Sequence, residues 1–208
     1  MYRRHIFAAA EEVFAEHGFE AARVQDIARR AGLSMGTIYA IFPSKTDLWR
    51  ELLRERGQEI LELARANVAR AASPEDALDA LIETYTTYFV EHPNFLRMHL
   101  REGTAWVSSP SPENPVRTQH WKEIHALQAE VFRRGIEAGV FVREDPAFLA
   151  KTFSAMDQAL LADWVERGMK DTRPRLVERF RAVVRRAFFR NPGEDSAGET
   201  ASPPSSEA

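Results

Sequence analysis

The strongest constraint on the fold is the spacing of apolar residues, which recur at i, i+3 and i+4 along nearly the whole chain. Strand-like alternation of apolar and polar residues is rare. The first stripe comprises Ile6, Ala9, Ala10 and Val13, and Gly18 should end its helix. Because one such stripe follows another, the sequence predicts an all-α protein.

Caps, prolines and glycines divide this pattern into separate helices. Ser44-Lys45-Thr46-Asp47 predicts a capped start for a long helix. Ser73-Pro74-Glu75-Asp76 predicts another start, with a first-turn proline and acidic residues near the positive helix end. The predicted helices cover residues 6–17, 24–31, 34–41, 44–71, 74–91, 95–107, 116–138, 146–167 and 174–190, and 108–115 should be a loop.

Composition narrows the possible functions. The chain has 208 residues, of which 44% are apolar and 28% charged, so it can bury a substantial core. Its net charge of −3 disfavours purely electrostatic nucleic-acid binding, so DNA binding requires a local basic patch. The absence of cysteine excludes disulfides, Cys-based zinc fingers and thiol catalysis, and fits a cytoplasmic protein. No apolar run is long enough for a transmembrane helix, and the acidic residues at 11 and 12 argue against a signal peptide.

Three segments are predicted. Residues 1–46, which contain the helix-turn-helix described next, should form a DNA-binding domain, and residues 47–190 a larger antiparallel helical domain. Residues 191–208 are acidic and rich in Pro, Ser, Gly and Ala, which predicts a disordered tail.

A helix-turn-helix is predicted between residues 24 and 41. The turn Ala31-Gly32-Leu33-Ser34 contains the glycine that this motif commonly uses, and Ser34 can cap the second helix. That helix begins Met35-Gly36-Thr37, whose small residues allow a close approach to bases and phosphates. From residue 23 to residue 50 there are five basic and two acidic residues, opposite in sign to the whole chain.

Two further side chains fit phosphate binding. The Tyr39 hydroxyl suits a phosphate oxygen. Lys45 stands in the first turn of the next helix, where its charge opposes the helix dipole and a phosphate would relieve this cost. Arg29 and Arg30 are interpreted as solvated surface rather than DNA contacts.

The N-terminal segment, in this order of motifs, resembles the signature of the tetracycline-repressor (TetR) family. The matching motifs are Asp26-Ile27-Ala28, Ala31-Gly32-Leu33-Ser34, Gly36-Thr37-Ile38-Tyr39 and Phe42-Pro43-Ser44-Lys45. The resemblance implies a three-helix DNA-binding domain, a linking fourth helix and a helical domain that binds an effector and dimerises. It also implies a homodimer on a pseudo-palindromic DNA site, usually a repressor released by ligand.

Site residues follow from this resemblance. By position, it implies phosphate contacts from Ser34, Thr37, Tyr39 and Lys45, and base contacts from Met35, Gly36 and Thr37. This chain departs from the family pattern at Ala22-Arg23, where Arg23 would replace a capping hydroxyl as the phosphate contact, and at Ala40, which removes a polar contact. Few residues precede the first helix, so either the basic arm that often contacts the minor groove is missing or the natural chain begins earlier. A helix-turn-helix can also be a structural corner only, and the full ordered set argues against that alternative.

The larger domain contains aromatic, Met and His residues that could surround an apolar or aromatic effector. The candidates are Tyr85, Phe89, Met98, His99, Trp106, Trp121, His125 and Met156. Such residues at helical spacing are usually core, but histidines in apolar surroundings are typical of a ligand site. A metal site is not predicted, because the histidines lack i, i+4 pairing and no cysteine is present.

The last two helices suggest a dimer interface. Their apolar stripes comprise Leu149, Phe153, Met156, Leu160, Leu176, Phe180, Val183, Val184, Ala187 and Phe188. The last stripe is wide for a terminal helix. Members of the TetR family, which this chain resembles, dimerise through the corresponding two helices. The alternative is that both stripes cover the monomer core.

The resulting hypothesis is a homodimeric, ligand-released repressor, with no enzyme activity and no cofactor. A constitutive regulator without an effector remains open, as does an adaptor that uses the helix-turn-helix to bind protein. A helical enzyme is disfavoured, since the sequence has no nucleophile–base set, phosphate-binding glycine loop or carboxylate–histidine metal cluster.

Overall fold

The computed structural model describes residues 2–101 and 115–190, and within them it contains nine α-helices. They are α1 (Tyr2–Ala21), α2 (Val24–Ala31), α3 (Met35–Ile41), α4 (Lys45–Ala69), α5 (Pro74–Glu91), α6 (Pro93–Arg101), α7 (Pro115–Glu137), α8 (Pro146–Glu166) and α9 (Arg173–Phe188). The all-α prediction is confirmed. In the described part of the chain, no helix has the length and apolar character needed to cross a membrane.

The predicted caps are present at several helix starts. Ser44 and Ser73 each accept a hydrogen bond from the backbone NH three residues later, and Asp145 accepts one from Ala147. Gly18 adopts φ 74° and ψ 169°, which interrupts α1 with a kink before its last residues. These positions match the sequence prediction because caps and positive-φ glycines act locally.

Some helix ends differ from the prediction. α4 ends at Ala69, and α9 ends at Phe188 rather than near Arg190. After α9 the chain becomes extended, and Phe189 forms an isolated antiparallel bridge with Phe141. The Val142 NH donates to the Phe188 carbonyl at 2.9 Å, and the Arg190 NH donates to the Val140 carbonyl at 3.0 Å. This long-range pairing replaces the last helical turn.

The start of α6 differs from the prediction, and several predicted segments lie outside the described residues. α6 begins at Pro93, two residues earlier than predicted, because a proline fits the first turn of a helix. Only its part up to Arg101 is described, so the predicted extension to residue 107, Trp106 and most of the 108–115 loop lie outside the described residues. The predicted tail, 191–208, also lies outside them.

Two packed regions position the candidate sites. In the first, α1, α2, α3 and the start of α4 share a core, where the Phe14 ring lies 4.7 Å from the Trp49 ring. In the second, α4 packs on α5 and α7, α7 packs on α8, and α9 packs on α5 and α8. Because α4 contributes to both regions, it joins them through one continuous helix.

Candidate functional site

The turn between α2 and α3 has the geometry that a helix-turn-helix requires. Gly32 adopts the left-handed conformation, φ 65° and ψ 31°, as its position in the sequence predicts. The Leu33 NH donates to the Ala28 carbonyl at 3.0 Å, which completes the C-terminal turn of α2. The chain therefore changes direction within three residues and enters α3 at Met35.

The N-terminus of α3 holds two hydroxyl groups side by side. The Ser34 hydroxyl accepts a hydrogen bond from the Thr37 NH at 3.0 Å, and the two hydroxyl oxygens are 2.9 Å apart. On the inner face, Ile38 and the following Phe42 are almost fully buried and fix α3 against the core. Ser34 and Thr37 thus face outward from an anchored helix end, where the backbone dipole favours an anion.

The outer face of α3 is small and open around one large side chain. Tyr39 is 43% exposed, Gly36 is exposed and Met35 is half-buried. A Cβ added to Gly36 would meet no atom of the described residues closer than Ser34 Oγ at 3.6 Å, so they leave that space open. Ala40 and Ile41 are also exposed, so the face offers small and apolar contacts beyond the tyrosine.

Lys45 lies in a different environment from the one expected. Its ammonium donates to the carbonyls of Phe19, Glu20 and Ala22 at 2.7, 3.0 and 3.2 Å, and it lies 4.6 Å from the centre of the Phe19 ring. Carbonyls at the negative end of α1 therefore already stabilise its charge within the protein, and a phosphate contact from Lys45 stays a prediction. The sequence indicated that Lys45 stands in the first turn of α4, where the helix dipole opposes its charge. It did not indicate that the C-terminal end of α1 lies beside it.

The arginines near this face differ in their partners. Arg29 pairs with Asp26 at 2.7 Å, and Arg30 pairs with Glu16 at 2.5 Å, in agreement with their interpretation as surface residues. Arg23 is exposed at the N-cap position of α2, and its side chain makes no ion pair within residues 2–101 and 119–190. Arg23 therefore remains able to contact a phosphate.

The predicted effector residues are divided among several places. Tyr85, Phe89 and Met98 are buried, while Trp121 and Met156 are half-buried. His99 and His125 are also half-buried, and Trp106 lies outside the described residues.

Two aromatic–histidine pairs stand out among these residues. The His99 ring lies 6.2 Å from the Phe89 ring, across the junction of α5 and α6. On α7, the His125 ring stacks on the Trp121 ring at 4.1 Å. The two histidines thus lie in aromatic surroundings on separate helices, as the sequence predicted.

A buried polar cluster between α5, α7 and α8 was not predicted as a group. The Ser154 hydroxyl donates to the Gln128 side-chain oxygen at 3.1 Å, and Gln128 also lies beside the Tyr85 hydroxyl. Asp157, one helical turn after Ser154, is 2% exposed. Burial raises the pKa of Asp157 to about 8 and raises that of Tyr85 as well. An acidic residue within an apolar helix face was the available sequence signal.

A second unpredicted group joins α1 to α4 and α5. The Arg56 guanidinium contacts Glu11 at 2.5 Å and Glu59 at 2.8 Å, and the Tyr88 hydroxyl donates to Glu59 at 2.9 Å. Burial acts to raise the pKa of Glu59, but the hydrogen bonds from Arg56 and Tyr88 outweigh burial, and the pKa is lowered. The group connects the DNA-binding region with the larger domain.

The stripes proposed for dimerisation pack mostly within the monomer. Leu149, Phe153, Leu160, Leu176, Phe180, Val184 and Phe188 are all buried in the single chain. Only Met156, Val183 and Ala187 of the predicted set keep partial or full exposure. The width of the last stripe is therefore explained by contacts with α5 and α8, which was the alternative. The exposed apolar surface of α8 is instead Phe148, at 56%.

No metal centre is present in the described ranges. Residues 2–101 and 115–190 contain no group of three His, Asp or Glu side chains that could hold a metal ion.

Comparison with known proteins identifies both regions. Residues 6–52 match the model described as "Bacterial regulatory proteins, tetR family", and residues 74–159 match "Tetracyclin repressor-like, C-terminal domain". The HTH-type transcriptional repressor SCO4008 of Streptomyces coelicolor is 30% identical over 145 residues, which cover 70% of each chain. The HTH-type transcriptional repressor KstR2 of Mycobacterium tuberculosis is 25% identical over 88% of this chain and 90% of its own.

Solved structures share the fold along most of the chain. The ketosteroid transcriptional regulator KstR2 of M. tuberculosis aligns with a TM-score of 0.78 at 23% identity, covering 92% of this chain and 96% of its own. The regulator FadR of Bacillus subtilis, in complex with stearoyl-CoA, aligns with a TM-score of 0.74 at 21% identity, covering 87% and 96%. Together with the helix-turn-helix geometry, the sequence matches show that the chain belongs to the TetR family of DNA-binding transcriptional regulators and is not an enzyme.

Proposed function

We propose that this regulator is a homodimeric repressor that binds a pseudo-palindromic operator and is released by an apolar small-molecule effector. DNA binding is supported by the outer face of α3, where the hydroxyl groups of Ser34 and Thr37 lie on the same short helix as the exposed Tyr39. In this arrangement α3 enters the major groove, and Met35, Gly36 and Thr37 face the bases.

Phosphate contacts then come from Arg23, Ser34, Thr37 and Tyr39. Each of these side chains is exposed or half-buried, and none is held in an ion pair within the described part of the chain. Lys45 acts differently, because its three carbonyl contacts set the position of α1 relative to α4. We therefore assign it as a positioning residue rather than a phosphate contact.

Dimerisation is assigned to α8 and α9. Phe148 is one of the most exposed large apolar side chains in the described residues, and small residues such as Ala155 and Ala162 follow it on α8. Small residues let a partner helix approach closely. Recognition of two half-sites one turn of DNA apart requires that the α3 helices of the two copies lie about 34 Å from each other.

An apolar effector is supported by the aromatic interior of the larger domain and by the relatives. FadR of B. subtilis has been solved with stearoyl-CoA, and KstR2 is named a ketosteroid regulator. In this chain, Tyr85, Phe89 and Met98 provide apolar surface near the α5–α6 junction. A ligand there would change DNA affinity only by binding the two arrangements of the DNA-binding regions with different affinity.

The test is selection of genomic DNA by the wild-type protein and by Tyr39→Ala. The matched control is Leu63→Ala, which removes an apolar side chain of similar exposure from α4. We expect the wild type and the control to enrich one pseudo-palindrome that Tyr39→Ala does not enrich. Enrichment of the same site by Tyr39→Ala, or of no site by the wild type at low salt, would contradict the proposed interface.

Effector release is tested separately on the selected operator. Stearoyl-CoA and a neutral ketosteroid are the first probes, added during a binding titration. We expect at least one to weaken operator binding by 5-fold or more, on the scale of ordinary allosteric coupling of about 1–3 kcal/mol. If every compound that binds the protein leaves operator affinity unchanged, the constitutive alternative is correct.

A further inference from the structure

Two polar atoms in the core of the larger domain lack a well-aligned hydrogen bond to the described residues. The Tyr85 hydroxyl on α5 and the Asp157 Oδ1 atom on α8 receive no well-aligned hydrogen bond from the described residues. Tyr85 is 4% exposed and Asp157 is 2% exposed. Buried polar groups in folded proteins nearly always have a hydrogen-bond partner, so two such atoms on facing helices indicate a partner from outside the chain.

The immediate surroundings are neutral and aromatic. Gln128 of α7 lies beside Tyr85 and accepts a hydrogen bond from Ser154, which fixes the amide. The Phe153 ring lies 6.3 Å from the Tyr85 ring. A few polar groups within an aromatic wall are typical of a small-molecule site.

The charge state of the cluster narrows the ligand chemistry. No Lys, Arg or His of residues 2–101 and 119–190 forms an ion pair with Asp157, and burial raises its pKa to about 8. The carboxyl group therefore carries its proton near neutral pH and can donate a hydrogen bond. Tyr85 is the titratable group that faces it from α5, and burial keeps its hydroxyl protonated too. Gln128 and Ser154 carry no charge.

Two hydrogen-bond donors that face one region suit one acceptor oxygen. A carboxylate or phosphate group would find no positive charge in this cluster to balance it. A cationic group would require Asp157 to ionise in apolar surroundings, where desolvating both charges is costly. An uncharged ligand oxygen requires neither a balancing positive charge nor the ionisation of Asp157.

We propose that the Tyr85 hydroxyl and the Asp157 carboxyl group together bind the oxygen of an uncharged ligand, a carbonyl or a hydroxyl group, inside the larger domain. This rests on the proposed effector-binding function and specifies the polar end of an otherwise apolar effector. The aromatic rings around Tyr85 then contact the apolar body of the ligand.

The test uses three probes with the same ring system and different polar groups. They are 1-indanone, which is a neutral ketone, indane, which has no polar group, and 1-aminoindane, which is a cation at neutral pH. Binding to the full-length protein is measured by calorimetry at pH 7. We expect 1-indanone to bind about tenfold more tightly than indane, the size expected for one net hydrogen bond.

Variants assign that preference to the two residues. Tyr85→Phe and Asp157→Leu should each reduce the preference for 1-indanone over indane toward one. Asp157→Asn should keep most of it, because an amide also donates a hydrogen bond. Circular dichroism and operator binding without probe confirm that each variant is folded.

Three results would overturn the assignment. They are a preference for 1-aminoindane, equal binding of ketone and hydrocarbon, and no binding of any probe, which would indicate that water satisfies the two atoms. Operator binding without probe reports on the regulator itself. Failure of the ligand assignment can therefore be distinguished from failure of the proposed function.

Discussion

The Glu11 carboxylate on α1 lies 2.5 Å from the Arg56 guanidinium on α4, and Glu11 is only 6% exposed. The same guanidinium contacts Glu59, whose carboxylate accepts a hydrogen bond from Tyr88 on α5. A continuous set of charged and polar contacts thus runs from the DNA-binding region into the larger domain. Because α4 carries its central residue, this set can respond to movement of either region.

Arg56→Met is expected to destabilise the protein by on the order of 3 kcal/mol, because it leaves the buried Glu11 carboxylate without its counter-charge. Urea denaturation measures the change. The double variant Glu11→Leu with Arg56→Met should recover most of the loss, since it removes both charges.

The control for this pair is Arg54→Met, two residues away. Arg54 pairs with Glu51 at 3.1 Å on the surface, where an ion pair contributes about 1 kcal/mol or less. Equal effects of Arg54→Met and Arg56→Met would show that burial of Glu11 does not strengthen its dependence on Arg56.

The salt dependence of operator binding distinguishes Arg23 from Lys45. Arg23→Met should weaken binding and reduce the slope of log K against log salt by about 0.9, the value for one phosphate contact. Lys45→Met should weaken binding with an unchanged slope, because its ammonium already binds three carbonyls. A reduced slope for Lys45→Met would restore the original assignment of Lys45 to a phosphate.

Phe148→Glu should dissociate the proposed dimer. The residue is 56% exposed at the start of α8, and a charge at a buried interface would lose its hydration. Sedimentation at micromolar concentration measures the oligomeric state, and Leu63→Glu on α4 is the matched control. A Phe148→Glu protein that sediments like the wild type would exclude this face of α8 from the interface.

Asp157→Asn should change the pH dependence of stability. The folded-state pKa of Asp157 is about 8, while an unfolded Asp titrates near 3.9. Between these values the folded state keeps a proton that the unfolded state releases, so this residue's contribution to the free energy of unfolding falls as pH rises. Below about pH 4 this stabilising contribution is fully present, and above about pH 8 it has been lost.

The free energy of unfolding of Asp157→Asn, relative to that of the wild type, should therefore increase from pH 5 to pH 8. Above pH 8 the difference should stay constant. Urea denaturation at pH 5, 6.5, 8 and 9 measures the two proteins in parallel. A constant difference across this range would show that Asp157 does not titrate differently in the folded state.

Gly135→Ala should destabilise the larger domain by about 1–3 kcal/mol, the usual cost of overpacking. A Cβ at this position would overlap the Phe141 ring, which is fully buried. Gly36→Ala is the control, since its new Cβ meets only Ser34 Oγ at 3.6 Å and Ala favours a helix. If both variants melt like the wild type, the Phe141 ring can move without cost.

The helix-turn-helix could be predicted from the sequence because its determinants are local. Gly32 has the positive φ that ends α2, and Ser34 caps α3 through a residue only three positions away. The residues that determine these features are neighbours both in the sequence and in the structure. The same is true of the start of α4, where Ser44 binds the Asp47 NH.

Contacts between distant helices could not be assigned from the sequence alone. The apolar stripe of α9 indicated a dimer interface, yet Phe180, Val184 and Phe188 are buried in the monomer. An apolar stripe shows that a helix face is buried but does not identify what covers it. Lys45 illustrates the same limit, since residues 19–22 supply its carbonyl partners.

The sequence by itself determined the helical class, most helix boundaries and the DNA-binding motif, because periodicity and caps act over three or four residues. Only the tertiary structure decided that Glu11 meets Arg56 and that Tyr85 lies near Asp157. The members of these pairs are 45 and 72 positions apart, and their contact depends on how whole helices pack. Burial, which sets the charge of Asp157 and the importance of Arg56, arises only from that packing.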